Sequence, residues 1–235
     1  YTTDDLIARE TVRVCVAPHG LVVSADGRRA YLACYGEDAV ASVSLDEPGY
    51  PVTRFPVGPG ATSSGSPKYG PYSVTLSPDG AELWVGDIEG SRSTGLGRDL
   101  RVFATANMAA PSRAVILDAA AYFPAFSPDG STVYAPTQSP DGLVAIDRAT
   151  RSIRTRRTFA AAECTRPHQA AVGPDGMLYL VCEGQHSLPP FVPGTLLRMD
   201  PRTLETRGRT TVGIYPDALV FHPATGSSSL DGGVR

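Results

Sequence analysis

The sequence predicts an all-β chain, a β-propeller of four-stranded antiparallel blades. Three observations carry this: an Asp-Gly turn recurs about every fifty residues, short apolar strands flank each turn, and each repeat closes on a polar segment. The turn glycines are Gly27, Gly80, Gly130 and Gly176, separated by 53, 50 and 46 residues. Four antiparallel strands repeated at this period are the mark of a propeller.

The turns read Ser24-Ala25-Asp26-Gly27, Ser77-Pro78-Asp79-Gly80, Ser127-Pro128-Asp129-Gly130 and Gly173-Pro174-Asp175-Gly176. Each has turn chemistry, with Pro fixing φ at the second position in all but the first copy, Asp tolerating the third and Gly supplying the last. A short apolar strand precedes each turn (Leu21-Val22-Val23, Val74-Thr75-Leu76, Ala170-Ala171-Val172). A second, richer in aromatic residues, follows it (Tyr31-Leu32, Leu83-Trp84-Val85, Val133-Tyr134, Tyr179-Leu180). A third often ends in Asp (Asp46, Asp147, Asp200), and a more polar fourth meets water. Trp84, Leu32, Tyr134 and Leu180 are expected as equivalent large side chains between blades. With its S-P-D-G turns and the closing stretches Asp147-Arg148-Ala149-Thr150 and Asp200-Pro201-Arg202-Thr203, the chain resembles the YVTN-type propeller repeat family over nearly its whole length. That resemblance implies the fold and says little about function, because propellers host many activities.

The count of strands does not close a ring. An isolated outer strand is expected at about 7–14, then four full units, then only the first strand of a fifth (Ala218 to Phe221) with a degenerate turn at His222 to Gly226. The expectation is a single propeller domain over residues 1–235, incomplete, belonging to a seven-bladed ring, with a five-bladed ring as the alternative. The chain begins at Tyr1 rather than Met, as a mature or truncated form does.

Composition excludes some function classes. The net charge is −3 with 21 Lys+Arg dispersed through 235 residues, which argues against nucleic acid as a partner. Arg148, Arg151, Arg154, Arg156 and Arg157 form one local cluster, read as a solvated strand and turn. No apolar run approaches the length of a membrane span.

Cys15 and Cys34 occupy the same positions in the first repeat as Cys164 and Cys182 in the fourth. The reading is two disulfides, Cys15–Cys34 and Cys164–Cys182, and hence an extracytoplasmic location, whether periplasmic, cell-surface or secreted. Soft-metal ligation and buried free thiols are the alternatives, the former without any C-x-x-C to support it.

The candidate site lies on the central face. Eight residues before each turn glycine stand His19, Tyr72, Tyr122 and His168, with Asp217 in the fifth unit. In a propeller these positions crowd around the axis. They are read as a funnel for a small ligand or a protein partner's side chain, with plain filling of the channel mouth as the bland alternative. No metal is assigned, because in a seven-bladed ring His19 and His168 stand too far apart to share an ion. His186, in an insertion from Glu183 to Pro193, is read as a loop histidine. No catalytic spacing is present. The function expected is a binding or scaffolding module that requires no cofactor. Relatives by resemblance supply two further readings. One is an electron-transfer or oxidoreductase protein with a c-type haem domain beyond Arg235, where haem or copper would be the cofactor. The other is a lactonase-like hydrolase.

Overall fold

A computed structural model of the chain describes residues 10–62, 66–91 and 96–221. Blade one is β1 (Pro18–Val23), β2 (Arg29–Cys34), β3 (Ala39–Ser44) and β4 (Val52–Pro56). Blade two holds β5 (Pro71–Leu76) and β6 (Glu82–Asp87). The small hairpin β7 (Gly90–Ser91) and β8 (Leu96–Gly97) then leads to β9 (Asp99–Ala104) and β10 (Arg113–Ile116). In blade three the innermost strand is split into β11 (Ala120–Ala121) and β12 (Ala125–Phe126), followed by β13 (Thr132–Gln138), β14 (Gly142–Asp147) and β15 (Ile153–Thr158). Blade four is β16 (Pro167–Val172), β17 (Leu178–Cys182), β18 (Thr195–Met199) and β19 (Thr206–Thr211). All four sheets are antiparallel meanders, and no ladder joins the first to the fourth among the described residues.

The S-P-D-G turn is a small hydrogen-bonded machine. Ser77 Oγ donates to Asp79 Oδ1 at 2.5 Å and accepts from Glu82 N at 3.0 Å, while Ala81 N donates to the same carboxylate oxygen. Ser24 and Ser127 repeat the pattern with Asp26 and Asp129. The fourth position needs a left-handed backbone, and Gly80 has φ +68°.

Three apolar seams bind the blades. Tyr31, Val40, Leu83 and Phe103 fill the first, and Trp84, Leu100, Val133 and Ile146 the second. Tyr134, Leu143, Leu180 and Leu197 fill the third. Trp84 is fully buried, in edge contact with Phe126 across the blade boundary. Two expected equivalences are corrected. Leu32 belongs to a separate cluster on the other face of blade one, with Ala41 and Cys15, and Tyr31 faces blade two instead. Counted from the turn glycine, Tyr31, Trp84 and Tyr134 are the matching positions. Blade four has one residue fewer after Gly176, so the match there is Tyr179, in edge contact with Phe221, and Leu180 points back to blade three.

The arginine cluster is not merely solvated. Arg148 pairs with Asp79 and Glu82 at 2.8 Å each, and Arg151 contacts Glu82 while lying 4.8 Å over the Trp84 ring. On the other side Arg157 reaches Glu163 and the Leu204 carbonyl. These long side chains clip blade three to both neighbours.

Two further expectations are corrected at the ends. Residues 10–14 of the expected outer strand form no strand, and its first residues, 7–9, lie outside the described residues. Val16 and Ala17 instead accept backbone bonds from Gly36 and Tyr35. Residues 218–221 also form no strand, since no described segment offers them a ladder, and the turn expected at 222–226 lies outside the described residues. They run beside β16, where Leu219 N donates to Gln169 Oε1 at 2.7 Å. The disulfides Cys15–Cys34 and Cys164–Cys182 are both formed, with Cα separations of 5.8 and 5.4 Å.

Candidate functional site at the central face

The site begins with a backbone device. His19, Tyr72, His168 and Asp217 each follow a proline, and the residue before that proline is left-handed: Ala17, Gly70, Arg166 and Tyr215 have φ between +49° and +59°. The chain thus turns sharply into each innermost position. Ladder register then slips by one residue at the same place: Pro71 pairs with Asp87 but Ser73 with Gly86, and Pro167 pairs with Cys182 but Gln169 with Val181. Tyr72 and His168 are the extra residues, and a bulge of this kind re-aims a side chain. In blade three Pro124 cannot donate to a ladder, and the gap in the strand falls across Tyr122.

The turns are held from the preceding blade. Asp38, at the start of β3, accepts from Tyr69 N and Gly70 N on Oδ1, both at 3.0 Å. Its Oδ2 accepts from Lys68 N, Thr62 N and Thr62 Oγ1. Burial works against this carboxylate, but the backbone donors win and hold its pKa below the ordinary value. Asp141, at the matching position before β14, accepts from Arg166 N at 2.9 Å. Neighbouring innermost strands are also stitched directly, with Ser73 Oγ donating to the Tyr122 carbonyl and Phe123 N to the His168 carbonyl.

The five residues singled out in the sequence form one contiguous cluster. His19 lies against Tyr72 with ring centroids 3.9 Å apart, Tyr72 meets Tyr122 at 5.3 Å, and Tyr122 meets His168 at 5.2 Å. His168 Nδ1 lies 2.7 Å from the Asp217 carbonyl. Burial lowers the His19 pKa, against the pull of the Asp217 charge, and the nearby His168 lowers it further. Burial, helped by the negative charge of Glu183, pushes Tyr122 up to about 12. Burial raises Tyr72 as well. These phenols therefore stay protonated at neutral pH and can donate.

Beside the cluster opens a cleft of about 850 Å³, lined by Tyr72, Tyr122, Asp141, Arg166, Glu183, His186 and Tyr215 among others. Sequence reasoning singled out only Tyr72 and Tyr122 among these and did not place the others in the site, Glu183 and His186 included. Glu183 directly follows β17 and is buried, with Oε1 3.4 Å from His168 Nε2. His186 lies in the expected loop, yet it takes part in the site: its ring stacks on Tyr215 at 3.9 Å, and its Nε2 lies 2.7 Å from Glu183 Oε2 and 3.0 Å from the Arg166 guanidinium. The signal available in sequence was the adjacency of Glu183 to Cys182, which fixes it at the mouth end of its strand.

No protein-family model and no curated protein matches the chain. Solved structures do, and they are propeller-type proteins. Hydrazine synthase from Kuenenia stuttgartiensis is 19% identical, with TM-score 0.58 over 78% of this chain and 51% of its own. The periplasmic gluconolactonase PpgL of Pseudomonas aeruginosa is 20% identical, with TM-score 0.56 over 84% and 54%. AztD from Citrobacter koseri is 13% identical, with TM-score 0.55 over 86% and 49%. At such identities the likeness is one of fold, and the chain spans about half the length of these structures.

Proposed function

We propose that the chain belongs to an extracytoplasmic, seven-bladed propeller that binds a small polyhydroxylated ligand, of the sugar or aldonic acid class, in the central-face cleft. The observation that carries this reading is the meeting of three kinds of group in one open space. Tyr72, Tyr122 and Tyr215 offer ring faces and phenol donors, Asp141 and Glu183 accept from hydroxyls, and Arg166 suits a carboxylate. The two disulfides support the location, since such bonds persist in oxidising compartments.

Calorimetric titration with gluconate and D-glucono-1,5-lactone tests the reading. Saturable binding is expected, weakened about tenfold or more, ~1.4 kcal/mol, in both Arg166→Ala and Tyr215→Ala. Absence of binding, or affinity unchanged in either variant, overturns it. A second reading is favoured by the gluconolactonase neighbour together with the buried His168 and Glu183 beside the cleft: hydrolysis of a sugar lactone. Acid release in a pH-stat above the spontaneous rate, lost in Glu183→Gln, would support it, and a rate equal to the blank would remove it.

A further inference from the structure

The geometry points to a divalent transition-metal site formed by His168, Glu183 and Asp217. One ligand atom from each of the three lies within 4.8 Å of the others. The decisive residue is His168, whose side chain is 1% exposed. Its Nδ1 sits 2.7 Å from the Asp217 carbonyl, and a carbonyl only accepts, so the ring proton is on Nδ1. Nε2 then presents a bare lone pair. It has no hydrogen-bond partner, although it is buried. It faces Glu183 Oε1 at 3.4 Å and Asp217 Oδ1 at 3.6 Å.

Three acceptors turned towards one point repel one another unless a cation lies between them. A metal at roughly 2.0–2.1 Å from nitrogen and oxygen ligands in tetrahedral geometry sets those ligands about 3.3 Å apart. The two separations measured from Nε2 are close to that edge length. One imidazole with two carboxylates suits Zn²⁺ or Mn²⁺ better than soft Cu⁺, which prefers sulfur, or Ca²⁺, which prefers oxygen alone. The surroundings also match a metal site. The carbonyl on Nδ1 fixes the tautomer, and His186, stacked on Tyr215, holds the far oxygen of Glu183. Asp217 is 59% exposed, so the fourth position opens to solvent. Three protein ligands with an open position leave room for water or an exogenous ligand.

The site does not depend on the sugar reading, although Glu183 serves both. The test therefore uses metal alone. Tag-free protein is treated with a chelator, desalted and titrated with ZnCl₂ and separately MnCl₂ by calorimetry, with the metal content of the gel-filtered protein measured. One equivalent of at least one of the two metals is expected, with affinity weakened at least tenfold in both Asp217→Asn and Glu183→Gln. Asp217 lies at the surface, so Asp217→Asn keeps its fold, checked by its melting curve, and carries the test alone should Glu183→Gln fail to fold. No saturable uptake of either metal by the wild type, or weakening below tenfold in a folded variant, overturns the site. Because no sugar or lactone is present, that failure leaves the cleft reading untouched.

Discussion

Replacing Asp38 by Asn isolates the bond set that aims Tyr72. Asp38 is left-handed, with φ 45° and ψ 42°, a conformation Asn also tolerates, so the substitution changes the acceptor and little else. One amide oxygen can keep Tyr69 N and Gly70 N, or else Lys68 N and Thr62 N. In either orientation two backbone donors face an NH₂ group. A donor left without a partner costs about 1–3 kcal/mol, so leaving two should cost about 2–6 kcal/mol. Urea unfolding at pH 7 reads it directly, with the single tryptophan, Trp84, as the fluorescent reporter. The gap between wild type and Asp38→Asn should also depend on pH. The folded-state pKa of Asp38 is held below its ordinary value, so its contribution is complete above that value and fades as pH falls through the folded pKa. The gap should therefore begin to narrow below about pH 4 and close only below the folded pKa. A loss under about 1 kcal/mol at pH 7, or a gap that persists undiminished in acid, would refute the reasoning.

Two further perturbations probe the scaffold. Trp84→Ala should cost about 3–5 kcal/mol in the same unfolding assay, because the ring is fully buried in the seam between blades two and three; a cost under about 1 kcal/mol would contradict the seam. Cys164→Ala with Cys182→Ala opens a link between residues 18 apart and should lower stability by roughly 3 kcal/mol. Non-reducing peptide maps of the wild type should yield Cys15 linked to Cys34 and Cys164 linked to Cys182, and four free thiols would contradict both links.

What the sequence made visible was local. The turn Ser, Asp and Gly act on neighbours within five residues, so their spacing marks the blades. The Pro-His and Pro-Tyr pairs mark the central positions for the same reason. The face to which Leu32 points was not visible, because β2 is buried on both sides and shows no alternation of polar and apolar residues. The partners of Arg148 and Arg151 lie 66–69 residues away, beyond what charge spacing can suggest. Glu183 was missed because its meaning comes from Asp217, on the first segment of the next unit. Only the packing of consecutive units brings the two to His168.

The slipped register at Tyr72 and His168 has an evolutionary consequence. A residue outside the ladder contributes little to pairing between strands, so exchanging it leaves the blade's hydrogen bonds in place. The positions facing the axis are thereby freed from the duties that constrain their neighbours. Pro71 and Ser73, or Pro167 and Gln169, carry the ladder, while the residue between them stands outside it. Such a row of positions works as a set of sockets. Equivalent positions of successive units carry different groups without a change in the blade, as His19, Tyr72, Tyr122, His168 and Asp217 do within this one chain.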